Sequence, residues 1–166
     1  MSFSFEELVL LTTQEVIVLH DMSIKKYGGR SGILNYGNLD SAVGRVKTAM
    51  SYEDTPDPIK AACLYAHAVS RSHGFNDGNK RAAYAAMSTC LAINGFVISG
   101  VDPEDMAQRI IDLATRLTPI EEFELFIRDV ARPDSTYQFI KDMDLPALEV
   151  AVGEADDTSA TDVPAP

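Results

Sequence analysis

Residues 71–95 read RSHGFNDGNKRAAYAAMSTCLAING, and the fold turns on this run. From Asn79 onward it is apolar nearly all round, through Ala82, Ala83, Ala85, Ala86, Met87, Cys90, Leu91 and Ile93, and it stops at Asn94-Gly95. A helix without a polar face belongs in the middle of a bundle. Upstream, Pro58 to Ser70 sets Ile59, Ala62, Cys63, Ala66 and Val69 at helical spacing, which predicts a second central helix. The polar, glycine-rich stretch His73–Gly78 breaks the pattern between them.

Working outward, Thr12 and Glu15 form a capping box that predicts a helix to about Tyr27, ended by Gly28-Gly29. Residues 30–38, RSGILNYGN, predict an extended or hairpin-like flap, followed by a helix from about Leu39 to Met50. Residues 95–99 predict a short extended piece. Asp102-Pro103 opens a further helix, and Thr118-Pro119-Ile120-Glu121 predicts a capping box and a helix to about Arg132. The expectation is an all-α bundle of six to seven helices over residues 1–132, with little strand. Residues 133–146 predict a short, helical C-terminal extension. Residues 147–166 carry Glu149, Glu154, Asp156, Asp157 and Asp162 with no Lys or Arg, which predicts an acidic, disordered tail.

The net charge of −11 and the lack of a domain-scale basic patch argue against direct nucleic-acid binding. No apolar run reaches the ~18–20 residues that cross a bilayer, so no membrane span is expected. The N-terminus lacks a basic stretch followed by an apolar one, so no signal peptide is expected. Cys63 and Cys90 lie in apolar stretches and read as reduced core thiols of a cytoplasmic protein.

The chemistry concentrates in Arg71–Arg81. Lys80 and Arg81 fall in the first turn of a helix, where unpaired amides already carry partial positive charge. Each cation there costs roughly 0.3–1 kcal/mol unless an anion binds. Asn79 as cap and Gly78 as a point of close backbone approach make that end a pocket for phosphate. Asp77 beside it supplies a hard oxygen of the kind magnesium takes together with substrate phosphates. His73, at the far end of the loop, brings an imidazole, the side chain suited to taking a proton near neutral pH. Phe75 points into the core and anchors the loop. Each element alone has an ordinary structural reading; together they are what phosphoryl or nucleotidyl transfer requires. A Walker-type phosphate loop is excluded, because Asn79 precedes Lys80 and Arg81 follows it. His67 and His73 are badly spaced for zinc on one helix face, and His20 and His67 read as ordinary helix residues.

HGFNDGNKR closely resembles the signature loop of the Fic/Doc family. Against the broad Fic pattern H-P-F-x-[DE]-G-N-G-R-x-x-R, Gly74, Lys80 and Tyr84 depart. The Doc variant H-x-F-x-D-[AG]-N-K-R is matched in full, and LHDMSIKKYGG and Gly44–Val46 extend the similarity over about residues 14–132. The resemblance implies a helical fold with the loop between two central helices. It implies His73 as the base acting on a target hydroxyl, Asp77 as the Mg²⁺ ligand, and Arg71, Gly78, Asn79, Lys80 and Arg81 around the phosphates of ATP. It implies that residues 30–38 align the target segment as an added strand. Lys80 in place of glycine, and Tyr84 in place of the second arginine, imply a toxin-type protein kinase delivering the γ-phosphate to a Thr or Ser. The implied target is elongation factor Tu and the implied partner a Phd-like antitoxin. The alternatives within this fold are an AMP transferase and an inactive binding module.

Overall fold

Asp57 and Pro58 start the central helix. The Asp57 carboxylate accepts from the amide of Ile59 at 2.8 Å, and Pro58 occupies the first turn, where an N–H has no partner in any case. This helix, α3 (Pro58–Arg71), packs on α4 (Asn79–Ile93) more extensively than any other pair in the computed structural model, which describes residues 6–137. Ala61, Ala62 and Ala66 of α3 and Ala82, Ala83 and Ala86 of α4 are wholly buried. Small side chains at a helix contact shorten the distance between axes. Tyr65 fills the space beside them and donates its hydroxyl to the carbonyl of Leu11 at 2.8 Å, so its polar tip is satisfied.

Around this pair lie α1 (Thr13–Tyr27) on α4, and α2 (Tyr36–Ser51) on α3, with α5 (Pro103–Ala114) and α6 (Ile120–Val130) also against α3. Leu39, Leu91, Ile110, Phe123 and Ile127 are buried in the core they share. Each such side chain contributes about 1.5–3 kcal/mol by leaving water. The predicted caps form at α1, where Thr12 and Glu15 bond reciprocally, and at α5, where Asp102 accepts from the amide of Glu104. Arg128 of α6 reaches both Glu124 and Asp57, tying α6 to the start of α3. No helix among the described residues is long and apolar enough to cross a membrane.

Four local expectations are corrected. The capping box at Thr118 does not form, because Pro119 takes the cap position and has no side-chain acceptor. Helix α6 ends at Val130, since residues before a proline disfavour helical geometry, and Ala131–Pro133 becomes strand β2. It pairs antiparallel with β1 (Phe96–Ile98), Val97 opposite Arg132. The segment 30–38 is no hairpin. Only its first part is extended, with Ile33 in an isolated antiparallel bridge to Phe75, and α2 begins at Tyr36 because Asn35 caps it through the amide of Asn38 at 2.9 Å. Finally, the cap of α4 is Gly78 rather than Asn79.

The chain divides into Met1–Asp134 and Ser135–Pro166. The expected extension past residue 137 and the acidic tail 147–166 lie outside the described residues.

Candidate active site

The loop leaves α3 through Ser72, whose hydroxyl donates to the carbonyl of Val69 at 2.9 Å and accepts from the amide of Gly74 at 3.1 Å. His73 follows with φ 49°, a left-handed conformation uncommon outside glycine, and its side chain is exposed. Gly74 packs so closely on Leu39 that a Cβ would lie 2.8 Å from it. Phe75 is buried, 1% exposed. The Asn79 side chain holds Phe75 at both backbone groups, accepting from its N–H at 3.1 Å and donating to its C=O at 2.9 Å. That amide is therefore committed to the loop, and Asn79 offers a ligand its backbone N–H. Gly78, with φ 75°, makes the left-handed turn into α4.

Residues 28–35 run along the outside of this loop and are stitched to it. The amides of Leu34 and Asn35 donate to the carbonyl of Gly74 at 2.7 and 3.0 Å, and the amide of Asn76 donates to Gly32 at 3.1 Å. The Asp77 carboxylate accepts from the amide of Gly78 at 2.6 Å and from that of Arg30 at 3.2 Å. The Arg30 amide, then the Gly78 amide, hold the Asp77 carboxyl below the usual carboxylate range. Arg81 lies 3.9 Å from the same carboxylate and donates to the carbonyl of Gly28 at 2.9 Å.

His73, Asp77, Gly78, Asn79, Lys80 and Arg81 thus share one loop and helix start. Arg71 is turned back along α3, where its Nη1 donates to Nε2 of His67 at 2.7 Å. His67 titrates below its usual range, through burial and then the neighbouring Arg71 guanidinium. Lys80 is exposed, and with Lys26 and Arg81 it lines a groove of about 610 Å³ between α1, α4 and α5. The apolar wall of that groove includes Met22, Tyr84 and Met106.

One supporting residue escapes the sequence reading. His20 is fully buried on α1, stacks on Phe75 and bonds the carbonyl of Asp77 through Nε2 at 2.8 Å. A signal existed: Val16, His20 and Ile24 are four apart on one face, and a histidine between apolar neighbours needs a buried partner.

Comparison with known proteins adds the following. A sequence profile described as the Fic/DOC family matches residues 10–91. The chain is 33% identical over 105 residues to "Protein kinase doc" of Escherichia phage P1, covering 63% of this chain and 82% of that one. It is 37% identical over 93 residues to "Toxin Doc" of Mycolicibacterium smegmatis, covering 54% of this chain and 71% of that one.

Proposed function

Because the chain belongs to the Fic/Doc family, we propose that it is a Doc-type toxin acting in the cytoplasm as a protein kinase, moving the γ-phosphate of ATP to a serine or threonine of a target protein. The observation that carries this reading is the start of α4, where the first-turn amides of Asn79–Arg81 and the side chains of Lys80 and Arg81 share one loop with the Asp77 carboxylate and an exposed imidazole.

The residues fit a magnesium–nucleotide. Among the described residues no three metal-ligating side chains gather. Asp77 alone is the donor set of an ion that arrives already coordinated by phosphate oxygens. When bound, that ion would neutralise charge on the β- and γ-phosphates. The first-turn amides of α4, Lys80 and Arg81 would grip the phosphates. His73 takes the proton from the target hydroxyl, whose oxygen then bonds the γ-phosphorus while the bond to the bridging oxygen of ADP breaks. Lys80 and Arg81 hold the charge left on the departing ADP.

The segment 30–34 supports the way a target is presented. Leu34 and Gly32 take the bonds to the loop, so the backbone groups of Ile33 between them face the other way. That free edge suits a peptide added as a strand next to His73. The groove lined by Lys26, Lys80 and Arg81 suits an amphipathic helix with acidic residues, which supports a Phd-like antitoxin as partner. By the resemblance, the target is elongation factor Tu.

Incubation with purified elongation factor Tu and ATP labelled at either the γ- or the α-phosphate tests the reading. The expected result is γ-label on the factor from the native chain and none from His73→Ala. Label only from the α-position would make the chain an AMP transferase. Growth inhibition that survives His73→Ala would make it a binding module.

A further inference from the structure

The turn after α1 grips two side chains of the loop with its backbone. The Arg30 N–H donates to Oδ2 of Asp77 at 3.2 Å, and the Gly28 carbonyl accepts from Nη1 of Arg81 at 2.9 Å. Between these two contacts lies Gly29, with φ 119°. A Cβ on Gly29 would stand 2.6 Å from Oδ2 of Asp77, 2.9 Å from Nη2 of Arg81 and 3.1 Å from Cδ1 of Ile24. The two closest of these atoms are the ends of flexible side chains. A methyl there would push the carboxylate and the guanidinium aside, and it would also strain a backbone whose φ of 119° only glycine adopts readily.

Asp77 and Arg81 are also an acid and a base one helical turn apart, close enough to collapse into a direct pair. A charge-assisted bond of that kind closes to about 2.7–2.9 Å and would occupy both groups. The observed separation is 3.9 Å, because each partner is held by the turn instead. We propose that Gly29 is a positioning residue: its bare Cα lets the turn hold Asp77 and Arg81 apart, so that the carboxylate stays open to a divalent cation and the guanidinium to a phosphate. This rests on the reading above, in which Asp77 meets the ion and Arg81 the nucleotide.

The test compares Gly29→Ala with Gly100→Ala in the full chain. Gly100 also has a positive φ, 75°, but open space where its Cβ would stand, so it reports a positive-φ alanine that displaces no side chain. Three quantities are measured: the dissociation constant of the ATP analogue AMP-PNP by calorimetry with and without Mg²⁺, turnover with labelled ATP, and the melting temperature. Gly29→Ala is expected to lose ~10–100-fold in affinity for the Mg²⁺ complex and in turnover, as when a group supporting a metal ligand is altered. It should lose less affinity for the metal-free analogue, and should melt at or below Gly100→Ala, whose binding stays native. Native affinity and turnover in Gly29→Ala overturn the proposal. So does an equal loss in Gly100→Ala, or an equal loss of affinity with and without Mg²⁺ in Gly29→Ala. If instead Asp77→Ala binds the Mg²⁺ complex as the native chain does, the reading of Asp77 itself is wrong and the proposal falls with it.

Discussion

The imidazole of His20 lies flat on the ring of Phe75, centroids 3.8 Å apart and planes 4° from parallel, while its Nε2 donates to the carbonyl of Asp77 at 2.8 Å. A carbonyl only accepts, so Nε2 carries the proton. Nδ1 lies 3.0 Å from a carboxylate oxygen of Asp21. One helix side chain therefore fixes both the anchor of the loop and the residue that presents the carboxylate. His20→Phe keeps the stacking surface and removes the donor, so stability should fall by about 1–3 kcal/mol, the range for stranding a buried acceptor. His20→Ala should fall further, by about 3 kcal/mol or more, because it also opens a cavity under Phe75. Urea unfolding of the two variants checks this; native stability in His20→Phe would mean that the bond to Asp77 contributes nothing.

His73 pays for its place in backbone strain. A left-handed non-glycine residue costs about 1–2 kcal/mol, whereas glycine adopts that conformation freely. Glycine gives back about 0.5–1 kcal/mol through the entropy of the unfolded chain. His73→Gly should therefore melt at or slightly above the native temperature while phosphoryl transfer drops by ~10²–10⁴-fold. A variant clearly less stable than the native chain would mean that the imidazole has a structural task.

Lys80 opposes the dipole of its own helix. Lys80→Ala should gain about 0.3–1 kcal/mol by removing a cation from the first turn. Lys80→Gly should be close to neutral, since glycine in a helix costs about 1 kcal/mol relative to alanine. Both should lose γ-phosphate transfer by ~10²-fold or more, as expected for removing a charge that stabilises the departing phosphate, and Lys80→Gly should permit some transfer of AMP. Scanning calorimetry beside the two labelled-ATP assays measures each arm. Undiminished γ-transfer in Lys80→Gly would remove Lys80 from the reaction.

What could be read from the chain were features written in consecutive residues. The periodicity of α3 and α4, the Gly and Pro punctuation, the caps at Thr12 and Asp102, and the burial of Phe75 are local in that sense. Features that depend on two distant segments meeting stayed hidden. His20 finds its acceptor 57 residues away, and Gly29 reads as a simple helix stop until Asp77 and Arg81 are brought against it. Asn79 was expected at the cap because Asn suits caps, but a left-handed glycine makes the turn and frees the Asn side chain to brace Phe75. Strand β2 was masked by the strong amphipathic pattern of α6, which runs into it without a break.

His67 gives the fold a sensitivity to acid that can be isolated. Its Nε2 accepts a bond from Arg71, so the folded chain needs that nitrogen unprotonated, and both burial and the guanidinium hold its titration below the usual range. In the unfolded chain the ring titrates normally, at about 6.5. The folded value is depressed, so the stabilisation is fully present above the unfolded value. It is lost as the pH falls below that value and toward the folded one, because the unfolded state takes up the proton first. Gln at position 67 offers an acceptor oxygen to Arg71 but does not titrate. Lowering the pH from about 7 to about 5 should therefore depress the melting temperature of the native chain more than that of His67→Gln. His20 and His73 are present in both chains and cancel in the comparison. If the two melting curves shift in parallel, the His67–Arg71 bond is not formed in solution, and Arg71 is free to turn toward the loop.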